Sequence, residues 1–316
     1  PEKRDDSVFG GIYGTPSLGH NQVYASGFNG TVHALVQESL RPNGVFHVEG
    51  TSNSRGITGS ILIDGDKAIF GSAIGPKSGR LYVLDASNIQ KEICRFPKIA
   101  EETKSVDRIW ATPVVSDGIA YFGDLGHKFY AVSIDNCTNK WPNPITLGGG
   151  IGSTPLIMGQ TIYVGAFDRK FYAIDAETGA FRVLFEGAGW FWSGIASDGT
   201  QLFVPNLDGN LYSVNAETGY VNWKFDTKGR ILSSPVVINN KVVVASDAKQ
   251  LYVLDKETGQ ANWSLLLDGE VYGPLMAKSY PSGDAVVYLT TTDHTVQAIN
   301  VSTMREFWFE SAKTNE

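Results

Sequence analysis

Short apolar stretches alternate with short polar turns along almost the whole of this 316-residue chain. Seven stretches share one pattern, in which a bulky apolar residue precedes an aromatic or polar residue, usually Tyr, and a small or β-branched residue follows. They lie at residues 32–35, 81–85, 129–132, 171–175, 211–215, 251–255 and 296–300, and the first and last are weaker copies. Their second positions are 40 to 49 residues apart, which leaves no interval long enough for a further copy. A period in this range is typical of repeat architectures.

Each copy presents the same signals in the same order. A Thr-Pro or Ser-Pro pair such as Thr15-Pro16 is followed by a β-branched run, a polar turn, the Tyr-containing stretch, a tight Glu-Thr-Gly turn such as 217–219, and a short run around a Trp. This order predicts four short strands joined by turns. Four-stranded units at this spacing are typical of propeller blades, whose assembly covers the sheet edges. The chain is therefore predicted to be all-β, a seven-bladed β-propeller of four-stranded antiparallel blades.

We predict one β-propeller domain over residues 1–316, in which residues 1–9 lead in or add a strand to the closing blade. The approximate blade boundaries are 10–50, 51–100, 101–146, 147–187, 188–227, 228–267 and 268–316.

Composition excludes several classes of protein. Apolar residues make up 42% and aromatic residues 11%, which is enough to bury a core and argues against disorder. The net charge of −7 without a basic run argues against nucleic-acid binding. No apolar run approaches the ~18 residues of a spanning helix, so no membrane span is expected. The chain begins at Pro1 rather than Met, and we expect any targeting segment or further domain to lie outside it.

The repeat resembles a known family. The Ala-Glu-Thr-Gly turn followed by Trp, after Leu-Tyr-x-Leu-Asp or its variants, is similar to the PQQ-like propeller repeat of quinoprotein dehydrogenases and of non-catalytic scaffolds such as BamB-like propellers. The resemblance covers nearly the whole chain and implies the fold rather than a function. Its seven copies differ from the eight that both kinds of relative have.

The two cysteines fall at special places in this repeat. The resemblance implies that the Trp of one blade packs against the Thr-Gly turn of the next, and in the second blade Cys94 stands beside the Trp position. Cys137 stands in the third blade where the turn Gly belongs. We therefore predict a Cys94–Cys137 disulfide in place of that contact, with two buried free thiols as the alternative. A disulfide would indicate the periplasm or an extracellular or secretory-lumen location.

The loops before the first strands carry the candidate binding residues. The position five residues before each Pro position holds either Gly or Arg. The arginines found there are Arg55, Arg108 and Arg230. Aromatic residues follow closely, namely Tyr13, Trp110, Trp190, Phe191, Trp192 and Tyr272. A guanidinium beside aromatic rings suits carboxylates or planar anions. The alternatives are that each Arg pairs with a neighbouring Asp and that residues 190–192 plug the channel.

No catalytic pattern emerges. The five histidines lack metal-ligand spacing, and phosphate loops and nucleophile elbows are absent. We expect no cofactor and no metal; PQQ with calcium is the alternative, although the vicinal cysteine pair frequent in dehydrogenases is missing.

The expected function is a non-catalytic scaffold whose funnel and loops bind a protein or peptide partner outside the cytoplasm. The alternative is a small quinoprotein-like enzyme, or an anionic-ligand-binding protein, that uses the Arg and Trp residues of the funnel.

Overall fold

A computed structural model describes residues 11–50, 56–98 and 106–311. In these ranges the regular elements are strands, arranged as seven four-stranded antiparallel sheets. Each sheet takes its strands consecutively from the chain, and neighbours in sequence are neighbours in the sheet. None of the described residues belongs to a helix that is long and apolar enough to cross a membrane. The predicted fold class, a seven-bladed β-propeller, is confirmed, and the sheets are called blades below.

The first three blades contain strands β1 to β12. Blade 1 contains β1 (Ser17–Gly19), β2 (Gln22–Ser26), β3 (Thr31–Val36) and β4 (Pro42–His47). Blade 2 contains β5 (Leu62–Asp64), β6 (Lys67–Gly75), β7 (Ser78–Asp85) and β8 (Asn88–Phe96). Blade 3 contains β9 (Val114–Ser116), β10 (Ile119–Gly123), β11 (Lys128–Ser133) and β12 (Ile145–Thr146).

The remaining four blades contain strands β13 to β28. Blade 4 contains β13 (Leu156–Met158), β14 (Thr161–Gly165), β15 (Lys170–Asp175) and β16 (Phe181–Glu186). Blade 5 contains β17 (Ala196–Ser197), β18 (Gln201–Pro205), β19 (Asn210–Asn215) and β20 (Val221–Asp226). Blade 6 contains β21 (Val236–Ile238), β22 (Lys241–Ser246), β23 (Gln250–Asp255) and β24 (Ala261–Leu266). Blade 7 contains β25 (Met276–Ser279), β26 (Ala285–Thr290), β27 (Thr295–Asn300) and β28 (Arg305–Ser311).

The chain divides into two compact units. The first unit comprises residues 1–161 and 174–180, and the second comprises residues 162–173 and 181–316. Each unit has its own buried clusters, such as the one around Tyr24, Phe70 and Tyr82 in the first and the one around Val243, Leu251 and Val287 in the second.

Burial explains the sequence pattern of the strands. The second and third strands of most blades are buried on both faces, as in β11 and β19, and their residues are accordingly continuous apolar runs. The fourth strand β20 alternates between exposed and half-buried residues, which gives the Val-Asn-Trp-Lys-Phe-Asp pattern of a strand with one solvated face.

Small residues at the ends of second strands allow close contact between successive blades. A Cβ added to Gly71 or Gly123 would overlap the side chain of Ile109 or Ile151, each contributed by the loop of the following blade. Gly165 is related in the same way to Phe191, which is 1% exposed. Glycine is therefore required at these places by the approach of the neighbouring side chain.

A second contact between successive blades joins a fourth strand to the following turn. The indole of Trp141 packs on Gly179, where a Cβ would lie 3.1 Å from the ring, and its Nε1 donates to the carbonyl of Ala176 at 3.3 Å. Trp223 packs on Gly259 in the same manner and donates to the carbonyl of Lys256 at 3.0 Å. These contacts match the Trp-on-turn packing that the family resemblance implies.

The Cys94–Cys137 disulfide is present at the same contact between blades 2 and 3, with the two Cα atoms 5.8 Å apart. Cys94 pairs with Val83 as Trp223 pairs with Ser213, so Cys94 itself occupies the Trp position. Cys137 has φ +53 and its N–H donates to Ser133, as the N–H of Gly219, with φ +79, donates to Asn215. The disulfide thus replaces the Trp-on-glycine contact residue for residue.

Candidate functional site

Strand pairing aligns the loops that lead into the seven first strands. In blades 1, 2, 3, 5, 6 and 7 the first residue of the first strand pairs with an equivalent residue of the second strand. The first residues of the seven first strands are Ser17, Leu62, Val114, Leu156, Ala196, Val236 and Met276. Counting back six, five and four residues defines three lead-in positions. The second lead-in position is always apolar, and it holds Ile12, Ile57, Ile109, Ile151, Phe191, Ile231 or Val271.

The first lead-in position corrects the count made from the sequence. It holds Gly11, Gly56, Arg108, Gly150, Trp190, Arg230 or Glu270, and is therefore not restricted to Gly and Arg. The error was one residue in blades 2, 5 and 7, where Ile61, Ile195 and Leu275 stand at the place of Pro113. Blades 2 and 5 have no Pro there, and blade 7 has Pro274 one residue earlier. Arg55 loses its equivalence to Arg108, and it lies outside the described residues.

The remaining predicted site residues fall at two equivalent places. Arg108, Trp190 and Arg230 occupy the first lead-in position of their blades. The third lead-in position holds Tyr13, Trp110, Trp192 and Tyr272, whereas Phe191, the sixth aromatic residue of the prediction, stands at the second position and is buried. The repeat therefore presents one set of Arg or Trp and one set of aromatic rings at recurring positions.

In blades 1, 3, 5 and 6 the lead-in loop is hydrogen-bonded to the loop between the second and third strands of the same blade. The amide of Leu207 donates to the carbonyl of Trp190 at 3.0 Å, and that of Asp247 donates to the carbonyl of Arg230 at 2.9 Å. Equivalent bonds join Leu125 to Arg108 and Phe28 to Gly11. The two kinds of loop consequently share one end of each of these blades.

An aromatic ladder lies on these loops in the second unit. Phe167 stacks on Trp190 with ring centroids 5.1 Å apart and planes inclined by 22°, and on Trp192 at 5.8 Å and 9°. Trp190 is 51% exposed, whereas Phe191 between the two tryptophans is buried. Phe167 was missed from the sequence because it stands outside the lead-in loop, directly after β14.

Arg230 stands in the lead-in loop of blade 6, in the same unit. Its Nε donates to Asp247 Oδ2 at 2.6 Å, and 62% of its side chain is exposed. The hydrogen bond from Arg230 to Asp247 raises the pKa of the guanidinium. The predicted alternative, an Arg paired with a neighbouring Asp, is thus found here, but more than half of the Arg230 side chain is still exposed.

Tyr272 is the other predicted aromatic residue of this unit. Its hydroxyl donates to Glu270 Oε2 at 2.8 Å, and that hydrogen bond is the main cause of the raised pKa of Tyr272.

The first unit holds two smaller groups of the predicted residues. Arg108 lies over the ring of Trp110 at 5.7 Å, and its Nε donates to Asp107 at 3.0 Å. Tyr13 packs edge-on against Phe28 at 5.4 Å, and both rings are more than half exposed. A cation over an aromatic face contributes about 0.5–1 kcal/mol at such exposed places.

Asp124, in the loop between the second and third strands of blade 3, fixes that loop. It is fully buried and accepts hydrogen bonds from Tyr130 Oη and from the backbone of Asp107 and Lys128. Burial, followed by the charge of Asp124, raises the pKa of Tyr130. Asp124 is therefore a structural residue of blade 3 rather than an exposed charge.

Comparison with known proteins agrees with this architecture. The family model described as outer membrane protein assembly factor BamB matches residues 46–183 and 187–316. No curated protein sequence matches the chain.

Solved structures share the fold at low sequence identity. BamB from Moraxella catarrhalis has a TM-score of 0.72 and 17% identity, covering 92% of this chain and 85% of that chain. The computationally designed Ika8 protein has a TM-score of 0.70 and 16% identity, and the match covers 92% of this chain and 83% of that chain. A europium-containing methanol dehydrogenase has a TM-score of 0.70 and 12% identity, and the match covers 87% of this chain and 72% of that chain.

The residues that the structure describes do not provide the ligand set of a metal-bound quinone. Such a site needs several carboxylate or other hard ligands around one cation. Across residues 11–50, 56–98 and 106–311, no three His, Cys, Asp or Glu side chains come together in a way that could hold a metal. Asp168 and Asp208 each accept a hydrogen bond from a tyrosine of their own blade instead. We therefore derive no chemistry from such a group.

Proposed function

Because this chain belongs to the family described as outer membrane protein assembly factor BamB, we propose that it is a non-catalytic scaffold that binds a protein or peptide partner outside the cytoplasm. The contact surface proposed is the aromatic ladder of Trp190, Phe167 and Trp192 together with Arg230. Tyr272, on the lead-in loop of blade 7 in the same unit, is proposed as a secondary contact. Arg108 with Trp110, and Tyr13, are proposed as contacts of the first unit on its own, and Arg55 stays a sequence prediction outside the described residues.

The exposure of Trp190 is the observation that carries this proposal. An indole that leaves half of its surface in water forgoes favourable burial, and Trp and Arg dominate the binding energy of protein interfaces. Trp190 is also held in place, since its ring stacks on Phe167 and its carbonyl accepts from Leu207. A fixed, exposed aromatic anchor loses little entropy on binding.

The anchor stands on a well-packed base. Phe191, the residue after Trp190, is buried among Phe171 and Phe185 with ring centroids 5.5 and 5.6 Å away. Its contact with Gly165 fixes the lead-in loop to blade 4. A site on such support keeps its geometry in the absence of the partner.

The disulfide supports the proposed location. Cys94 and Cys137 form a bond that persists in oxidising compartments and is rare in reducing ones. A periplasmic, extracellular or secretory-lumen location is accordingly part of the proposal.

Selection from a random peptide library tests the proposed surface. Peptides displayed on phage would be selected on the immobilised oxidised protein and then measured on Trp190→Ala and on Tyr220→Ala, a control that removes another exposed aromatic of the same unit. We expect loss of the Trp190 side chain to weaken binding roughly thirtyfold, the effect of an anchor worth about 2 kcal/mol, and loss of Tyr220 to change it less than about twofold. Failure to select peptides, or selected peptides that bind both variants equally, would refute the proposal.

A further inference from the structure

We infer that the segment bound at the aromatic ladder is extended, contains proline, and carries acidic residues a few positions away. This rests on the proposed function and names the chemistry of the partner.

The ladder offers flat apolar surface rather than a deep pocket. The ring of Phe167 is nearly parallel to both indoles, and half of Trp190 is exposed. Flat aromatic surfaces favour proline-rich segments, because a polyproline II chain is already extended before it binds and loses little entropy. The ladder therefore fits the proline ring of such a segment.

The loops next to the ladder carry two exposed arginines, and the exposed Glu186 nearby is paired with Lys170 Nζ at 4.0 Å. Arg169 follows Phe167 by two residues, has φ +69 at the tip of the loop, and is exposed. Arg230 directs its Nε to Asp247, and its two Nη groups carry the other four of its five N–H donors. Guanidinium groups bind carboxylates through paired hydrogen bonds.

The acidic side chains of the same loops are directed elsewhere. Asp168 Oδ2 accepts the hydroxyl of Tyr172, and Asp208 Oδ2 accepts that of Tyr212, each within its own blade. The buried environment of Tyr212, and then the hydrogen bond to Asp208, raise the pKa of the phenol and keep it a donor. These two loop carboxylates are thus used within their own blades while the side chains of Arg169 and Arg230 remain exposed, and this arrangement favours an acidic partner.

A single short loop separates the two parts of the site. On one side, the amide of Leu207 donates to the carbonyl of Trp190. On the other side, the hydroxyl of Thr227 lies 2.9 Å from the carbonyl oxygen of Gly209 and 2.8 Å from that of Gly229, the residue before Arg230, and donates its one hydrogen between them. Because one turn connects both parts, an extended segment should present its acidic side chain within a few positions of the proline.

Synthetic peptides test this chemistry directly. A fluorescein-labelled peptide of about ten residues, built from alternating Glu-Glu and Pro-Pro pairs, would be titrated with the oxidised protein by fluorescence polarisation. Matched peptides replace every Glu by Gln or every Pro by Ala. We expect each replacement to weaken binding roughly tenfold, and we expect Arg230→Gln to remove most of the difference between the Glu and Gln peptides. Lys224→Gln, which removes an exposed charge of β20, should leave that difference unchanged.

The outcomes separate this inference from the proposed function. Saturable binding with both preferences, retained by Arg230→Lys and Trp190→Phe, supports the inference and shows that the variants fold. Equal binding of the three peptides, or no saturation, overturns it. If library peptides bind through Trp190 but lack proline or acidic residues, the inference fails and the proposed function stands. If no library peptide depends on Trp190, the proposed function itself fails.

Discussion

The disulfide should be replaceable by the contact whose place it takes. Cys94 stands at the Trp position of blade 2 and Cys137 at the glycine position of the following turn. The double variant Cys94→Trp/Cys137→Gly therefore restores the pair seen at Trp223 and Gly259. The reference variant, Cys94→Ala/Cys137→Ala, lacks both the disulfide and the Trp contact.

The expected magnitudes follow from the loop that the bond closes. Cys94 and Cys137 are 43 residues apart, for which the chain-entropy relation gives about 4 kcal/mol of stabilisation at 25 °C. The Ala/Ala variant should lose about this amount. A docked Trp contributes about 3–5 kcal/mol by the usual cost of its removal, and glycine relieves the ~1–2 kcal/mol cost of φ +53 at Cys137. The Trp/Gly variant should recover at least about 3 kcal/mol of the loss, since blade 2 must adjust to the larger ring.

Urea unfolding, followed by tryptophan fluorescence and circular dichroism, gives the free energy of unfolding of the unmodified chain and of the two double variants. The unmodified chain is measured both oxidised and reduced. Intact-mass analysis with an alkylating agent should find no free thiol in the native chain and two after reduction. If Trp/Gly is no more stable than Ala/Ala, the two kinds of contact are not equivalent. Two alkylated thiols in the native chain would remove the disulfide altogether.

Three further results are expected. Gly259→Ala should destabilise the fold by more than about 2 kcal/mol, because a Cβ would lie 2.5 Å from the ring of Trp223. The control Gly118→Ala has nearly the same φ but open space around the new Cβ, so it should cost only the ~1–2 kcal/mol of the backbone conformation. Equal urea midpoints of the two variants would contradict this. Burial raises the pKa of Asp198, but the hydrogen bonds from Lys256 and from the backbone outweigh it and hold that pKa well below its usual value. The pair therefore stabilises the fold above about pH 4, and this stability is lost as the pH falls through the lowered pKa, so acid unfolding should be less steep in Lys256→Met. PQQ with Ca²⁺ should not quench tryptophan fluorescence saturably, and dye-linked alcohol oxidation accompanying such quenching would reverse our view of the site.

The fold was predictable because its signals are local and repeated. The Tyr-containing stretch and the Glu-Thr-Gly turn each depend on neighbours in sequence, and seven copies reinforce one another. The register of Cys137 was readable for the same reason, since three copies place the turn glycine seven residues after the Tyr position, at Gly179, Gly219 and Gly259. Copies without Pro directly before the first strand lacked such a marker. In blade 5 the count from the sequence consequently reached Gly189 rather than Trp190 as the equivalent of Arg108.

The candidate site was less predictable because its contacts join separate loops. Phe167 and Trp192 are 25 positions apart in the sequence and stack through the packing of two blades. Whether an Arg is exposed also depends on distant acceptors: Arg230 meets Asp247 and keeps most of its surface in water, while Arg80 is buried against Glu49. Neither outcome follows from the residue type.

The contacts between successive blades show what the repeat conserves physically. Trp223 meets Gly259 in one of them; in another, Gly44 stands at the Trp position, and a Cβ there would lie 3.3 Å from Ile89, which stands at the turn position. Large and small residues have exchanged places, yet the volume between the blades is still filled. The disulfide is a third solution, in which two small residues fill less volume and a covalent bond supplies the constraint. Each contact therefore requires a fixed separation between the fourth strand of one blade and the turn of the next. The residues at the contact can vary while this separation, and with it the position of the loops that carry Trp190 and Arg230, stays the same.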